Sequence, residues 1–261
     1  DELLAYEPSY FNFDEDTHSV VLVDDKPPHP TRSGNLFHGT FEDVQHTSFL
    51  DYLRIDAAAA KSCIWACRHV LFVRGSNDFA CLVILDNINV DNGIHTFKWQ
   101  LQANLHARLR VDGCGATVEG RNAALDCRFF SPLPGDFPTA PHSLRVFADE
   151  HPHINLWTAK PGTNPRLVAE QSGPNCTLMS IVIPRRLDSS PAVVTAATAP
   201  RTVHVRIRHG EFEDQVVWGC DHNWIRLPGL TASSEVVFVR RNAAGQVVHS
   251  WTPDQRPVRF G

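Results

Sequence analysis

Phe97-Lys98-Trp99-Gln100-Leu101-Gln102-Ala103-Asn104-Leu105-His106-Ala107-Arg108-Leu109-Arg110-Val111 is the stretch that decides the fold class. Phe97, Trp99, Leu101, Ala103, Leu105, Ala107, Leu109 and Val111 take every second position, and every position between them is polar. Side chains of an extended chain point alternately to opposite faces, so a period of two marks a strand with one covered and one polar face. Antiparallel sheets have that pattern. One long strand, bulged or bent, is expected here.

Working outward, residues 68–73 and 79–90 are apolar, β-rich runs separated by Arg74-Gly75-Ser76-Asn77-Asp78, the signature of a hairpin. Asp91-Asn92-Gly93 turns the chain into the long strand. Residues 19–23, 117–119, 144–147, 177–183, 203–207, 216–218, 236–240 and 247–251 supply further short strands. Helical periodicity is scarce. Asp56-Ala57-Ala58-Ala59-Ala60-Lys61 has room for about one turn. Eighteen prolines and fifteen glycines cut the rest into loops, notably Lys26-Pro27-Pro28-His29-Pro30 and Ser131-Pro132-Leu133-Pro134-Gly135. The expected fold is all-β, a large antiparallel β-sandwich of supersandwich type with few or no helices. It divides into a sandwich over residues 1–187, a candidate linker over 188–200, and strands over 201–261 that complete or cap the sandwich.

With 24 basic against 29 acidic side chains the formal charge is −5, the wrong balance for a general polyanion binder, and no nucleic-acid partner is expected. No apolar run approaches the roughly 18 residues of a spanning helix, so no membrane span is expected. The chain opens on Asp1 rather than Met, as a processed chain would. Seven cysteines, Cys63, Cys67, Cys81, Cys114, Cys127, Cys176 and Cys220, contain no C-x-x-C pair, which removes zinc-ribbon readings. Disulfides are expected instead, with at least one thiol left free or paired between molecules. The sequon Asn175-Cys176-Thr177 makes Asn175 a glycosylation acceptor in a secretory setting. Together these counts favour a secreted protein or one at a cell or particle surface.

Two stretches carry a family resemblance. Thr17-His18-Ser19-Val20-Val21-Leu22-Val23-Asp24-Asp25 resembles the His-Asn-Thr-x-x-Val-Asp-Gly segment early in the β-domain of heparinase II/III-like polysaccharide lyases. Trp65, Arg68-His69-Val70-Leu71-Phe72-Val73, Leu85-Asp86 and His95-x-Phe97-x-Trp99-x-Leu101 follow in that domain's order and approximate spacing. The likeness runs from about Thr17 to Leu105. It implies a C-terminal β-sandwich that family members pair with an N-terminal α-helical toroid, and an activity, β-elimination on uronic-acid polysaccharides. That chemistry needs a base for the C5 proton, a group to neutralise the uronate, and an acid for the leaving oxygen. In the family most of these groups sit on the toroid, and His18 matches the histidine that the sandwich contributes. The pattern is not complete. Ser19 replaces Asn, Asp25 replaces Gly, and Val20 stands where some members place a zinc-binding histidine. No cofactor is required on this reading. A partial zinc site from His69 with Asp43 or His38 is the one metal alternative.

If the partner is an acidic polysaccharide, Lys98, His106, Arg108 and Arg110 form one cationic strip for it and His204, Arg206 and Arg208 a second, since guanidinium groups grip carboxylates and sulfates through two bonds. The same alternation also describes a solvated outer face. Trp218 and Trp224 are candidates for stacking on sugar rings or for packing. The functional expectation is a non-catalytic extracellular or surface module, stabilised by disulfides, that binds carbohydrate or mediates assembly. The alternatives are the C-terminal part of a lyase whose α-helical toroid is a companion domain supplied elsewhere, with His18 catalytic, and a self-assembling subunit of an extracellular polymer.

Overall fold

The computed structural model describes residues 4–5, 20–26, 39–75, 79–132, 143–155, 160–220 and 224–260. His18, the catalytic candidate, lies outside them, as does His38.

At the centre is an eight-stranded antiparallel sheet in the order β2-β3-β4-β5-β12-β9-β8-β7. Its strands are β2 (Thr40–His46), β3 (Leu50–Asp56), β4 (Trp65–Arg74), β5 (Ala80–Asn89), β12 (Asn175–Arg186), β9 (Ala123–Phe130), β8 (Gly115–Glu119) and β7 (Arg108–Asp112). A four-stranded sheet, β1-β6-β11-β10, covers one face with β1 (Val21–Val23), β6 (His95–Gln102), β11 (Lys160–Gly173) and β10 (Ser143–Asn155). A five-stranded sheet, β13-β14-β15-β18-β19, covers the other. It consists of β13 (Val193–Ala199), β14 (Thr202–His209), β15 (Phe212–Gly219), β18 (Val236–Asn242) and β19 (Val247–Trp251). A small hairpin, β16 (Ile225–Leu227) with β17 (Leu230–Ala232), lies on the outer side of that sheet, with Ile225 and Leu230 against Val217, Val237 and Val239.

The middle layer explains why β5 and β12 read as unbroken apolar runs. Cys81, Val83, Leu85, Met179, Ile181 and Ile183 enter the core shared with the five-stranded sheet. Leu82, Ile84, Ile88, Cys176, Leu178 and Val182 enter the core shared with the four-stranded sheet. Alternation disappears where both faces are covered, and each fully buried Leu, Val or Ile there stabilises by about 1.5–3 kcal/mol. The hairpin expected between 68–73 and 79–90 forms, as β4 paired with β5, closed by Gly75 N donating to the Phe79 carbonyl at 2.8 Å. The helical segment shrinks to α1 (Ala58–Lys61), where Asp56 Oδ1 accepts from Ala58 N and Ser62 stops the helix in the left-handed region at φ 52°.

Two expectations are corrected. The single strand over 97–111 is two strands in different sheets. Asn104 Oδ1 accepts from His106 N at 3.0 Å and its carbonyl from Ala107 N at 2.8 Å, and this turn carries the chain from β6 to β7 at the edge of the central sheet. A short carboxamide that bonds its own downstream backbone offers a turn in place of the ladder. The disulfides are absent, and all seven cysteines are free thiols. Cys81, Cys127 and Cys176 are spread through the two cores as small apolar side chains, and burial pushes their thiols well up. Within the candidate linker, Val193–Ala199 pairs with β14 as an edge strand.

One buried ionic network joins the five-stranded sheet to the β4–β5 turn. Arg240 Nε and Nη2 donate to the two carboxylate oxygens of Asp214 at 2.6 and 2.7 Å, and Nη1 donates to the Arg74 carbonyl at 2.8 Å. His209 Nε2 lies 2.9 Å from Asp214 Oδ2, and Phe79 stacks on the His209 ring at 3.6 Å. Burial acts to raise the Asp214 pKa, yet the hydrogen bonds from Arg240 and His209 hold it below the usual carboxylate value. Replacing Arg240 by Met leaves that buried charge short of its main partner. Urea unfolding is therefore expected to show a loss of about 3–5 kcal/mol, with part of it recovered when Asp214→Leu is added.

Candidate functional site

The stretch that carries the family resemblance ends in a tight hairpin. Lys26 N donates to the Val23 carbonyl at 2.9 Å, and both central residues have positive φ, 52° at Asp24 and 55° at Asp25. Such two-residue turns favour Gly or Asn, and Asp tolerates the left-handed region better than most residues. Asp25, where the resemblance has glycine, thus takes a positive φ and adds a charge. Lys98 Nζ meets both Asp25 oxygens at 2.7 Å, with Glu170 at 3.8 Å and Arg145 reaching Glu170 at 3.4 Å.

Asp24 organises the other side of the turn. Its Oδ1 accepts from Thr96 N at 2.9 Å, and its Oδ2 lies 2.7 Å from His95 Nδ1. His95 Nε2 lies 2.8 Å from Asp91 Oδ1, which also accepts from Gly93 N at 2.7 Å. Hydrogen bonding to Asp91 and then to Asp24 raises the His95 pKa. Asp24 is lowered despite the desolvation that opposes it, through the Thr96 N–H and His95, and Asp91 is lowered chiefly by His95. Both ring nitrogens of His95 are engaged by carboxylates, and the cluster ties the turn to the start of β6.

The cationic residues expected to bind polysaccharide fall in three places. Lys98 sits on β6 among the carboxylates just described. His106 is exposed in the turn after β6, and Arg108 and Arg110 lie on the edge strand β7, where Arg110 pairs with Glu119. His204, Arg206 and Arg208 share the outer face of β14, Arg208 donating to Glu213 at 2.7 Å. Burial and the neighbouring Arg206 lower the His204 pKa. The structure thus separates the first group between two sheets and gives several of its members acidic partners of their own. Asn175 opens β12 with its Oδ1 accepting from Asn89 Nδ2 at 2.7 Å, while Thr177 of the sequon is buried. Trp218 is fully buried, whereas Trp224 is 65 % exposed.

A tyrosine–imidazole pair was not expected from the sequence. Tyr52 Oη lies 2.7 Å from His69 Nδ1, and His69 Nε2 lies 3.1 Å from Glu235 Oε1 and 3.5 Å from Cys67 Sγ. Burial opposes the charge on His69, but hydrogen bonds to Cys67 and Glu235 raise its pKa to about 9. A Tyr beside a His is a usable acid–base pair for elimination. This one is 2 % and 1 % exposed, closed over by Trp251 with ring centroids 4.8 Å from Tyr52, and it ties β3 and β4 to the five-stranded sheet. Tyr52 is the one tyrosine among the described residues. Asp43 does not join His69; it accepts from Gln45 Nε2 at 2.7 Å. Among the described residues no group of three or more His, Cys, Asp or Glu side chains is placed to hold a metal ion.

With the geometry in place, the chain can be set beside known proteins. No protein-family model matches it, and no curated protein sequence does. Solved structures do. The heparan sulfate lyase HepC from Pedobacter heparinus superposes with a TM-score of 0.56 at 12 % identity, over 79 % of this chain and 31 % of that one. Heparinase III superposes with a TM-score of 0.53 at 11 % identity, over 87 % of this chain and 30 % of that one. At such identity the likeness is one of fold, and the chain spans under a third of the length of these lyases.

The charge cluster has a pH signature. Because the His95 pKa is raised in the folded state, its stabilisation is complete below about pH 6.5, the unfolded value, and is lost as pH rises through the folded value. Asp24 and Asp91 are lowered, so theirs is present above about pH 4 and is lost on acidification. The stability difference between the protein and its His95→Gln variant, read from thermal melts, is expected to be largest between about pH 4 and 6.5 and to shrink on either side.

Proposed function

We propose that this chain is a carbohydrate-binding β-module related to the sandwich domains of uronic-acid polysaccharide lyases, acting outside the cell or at a surface and without eliminating substrate on its own. The fold likeness to HepC and heparinase III over four fifths or more of the chain is the observation that carries the relation. The non-catalytic part draws on the sealed Tyr52–His69 pair and on His95, whose two ring nitrogens are both committed to carboxylates. Abstraction of a C5 proton needs a base within about 3 Å of a bound sugar, and neither imidazole offers one.

A second reading is favoured by length. Since the chain matches under a third of each neighbour, it fits the β-part of a lyase whose helical part is a separate segment or chain. His18 would then face the shared cleft. A third reading, self-assembly into a polymer, draws on the edge strand β2, where Phe41 and Val44 are largely exposed and free to meet another strand.

Incubation with heparan sulfate, alginate and hyaluronan, following the ultraviolet absorbance of the unsaturated uronate, separates these readings. Binding without turnover is the expected result. Turnover by this chain alone defeats the non-catalytic reading. If activity appears only with a helical companion, His18→Ala is expected to lower kcat at least a hundredfold, in the range of general acid–base contributions, and an unchanged kcat removes His18 from the chemistry.

A further inference from the structure

Each of the three large sheets ends in two edge strands, and an edge offers unpaired N–H and C=O groups to any other chain unless something blunts it. Among the described residues, five of these six edges are blunted. β1 is only three residues long, and β10 carries Arg145, Asp149, Glu150 and Pro152. β2 has Glu42 and Asp43 at a shift of register, and β7 has Arg108, Arg110 and Asp112. β19 is five residues long and lies along the register shift between Arg240 and Arg241 of its partner.

β13 is the exception. Val193-Val194-Thr195-Ala196-Ala197-Thr198-Ala199 bears no charge, keeps an unbroken register with β14, and has proline only outside it, at Pro191 and Pro200. Val and Thr favour extended backbone, so nothing in the segment resists a second neighbour. Its inner face is also left open. Val203, Val205 and Ile207 on β14 are fully buried, yet of their partners Thr198, Ala196 and Val194 only Val194 is partly covered, and the other two are exposed. Val193 on the outer face is 57 % exposed. The strand therefore reaches past the cover that the central sheet gives to β14.

We propose that β13 is a dimerisation edge, at which a second copy of this chain adds its own β13 antiparallel and joins the two five-stranded sheets into one continuous sheet. The segment is its own complement. A two-fold axis at Ala196 sets Ala196 against its copy, Thr195 against Ala197, Val194 against Thr198 and Val193 against Ala199, so every facing pair is small or β-branched and no like charges meet. On the inner face, Val194 of each copy covers the open Thr198 of the other. A partner recognised by charge finds no counter-charge on the strand itself, whereas an identical strand needs none. Across the interface the two Arg206 side chains stand three strand spacings apart, about 14 Å, beyond the roughly 8 Å screening length at physiological ionic strength. Such an isologous contact closes after two copies, unlike the polymer drawn from β2. The dimer is independent of carbohydrate binding.

Sedimentation equilibrium between about 1 μM and 1 mM covers the affinities of small interfaces. A monomer–dimer equilibrium without larger species is expected. In the double variant Thr195→Lys with Ala197→Lys, an ammonium faces an ammonium twice across the axis, and dimerisation is expected to weaken about tenfold or more. Thr195→Lys with Ala197→Glu sets opposite charges face to face instead and is expected to restore the dimer, an outcome specific to this register. Val44→Lys on β2 is expected to leave it unchanged. The three substituted side chains are exposed, and thermal melts check that each variant folds. Amide exchange across 193–199 in the unmodified protein, slowing as concentration rises, gives the same reading without any variant. A protein monomeric over the whole range, a dimer indifferent to both β13 double variants, or one dissolved by Val44→Lys alone overturns the proposal.

Discussion

Burial of both faces of the eight-stranded sheet is the constraint on which the remaining structure depends. A sheet covered on two sides needs apolar residues at consecutive positions, and β5 and β12 provide them. The outer sheets need apolar residues mainly on their inner faces; on the five-stranded sheet the exception is the patch of Val217, Val237 and Val239 that the β16–β17 hairpin covers, while Arg206 and Arg208 on β14 stay exposed. The layered arrangement also sets where polar groups can be placed: at the ends of the central strands, where neither outer sheet provides an apolar lid.

Charged groups within the layers are satisfied by partners directly across the ladder. Arg68 is opposite Asp86 and donates to it at 2.6 Å; Arg166 is opposite Asp149 and reaches it at 2.7 Å; Arg240 is opposite Asp214 and binds it through two bonds. Pairs facing each other across a ladder are close enough to meet without bending either side chain away. Arg68, Arg166 and Arg240 are thus spent within the fold, while Lys98 meets Asp25 at its surface.

The legible part of the fold was the part with a one-dimensional signature. The alternation from Phe97 to Leu101, the hairpin around Gly75 and the strands near Val203, Val216 and Val236 are all visible as local patterns. Others were hidden for physical reasons. Pro161, Gly162 and Pro165 disguise β11, a strand held by two neighbours despite its breakers. The turn at Asn104 is masked because Leu105, Ala107 and Leu109 continue the alternation across it, although Leu105 is exposed. Of the site residues, Lys98 lies on a strand as its alternation suggests, but its carboxylate neighbours come from residues 25 and 170. His95 with Asp24, Tyr52 with His69, and Trp65 with Asn87 join residues 17 to 71 positions apart, and no spacing rule signals them.

Sequence alone determined that this chain would be antiparallel β throughout, because period-two alternation and continuous apolar runs are properties of neighbouring residues. It also determined the acidic charge balance and the stretch that resembles the lyase sandwich. Only tertiary structure decided which cations meet carboxylates, that no two cysteines are bonded to each other, that Tyr52 and His69 meet in the interior, and that Trp218 is buried while Trp224 is exposed. Those outcomes depend on which strands lie side by side and on where one sheet stops covering another, and both follow from long-range pairing that local residue patterns do not encode.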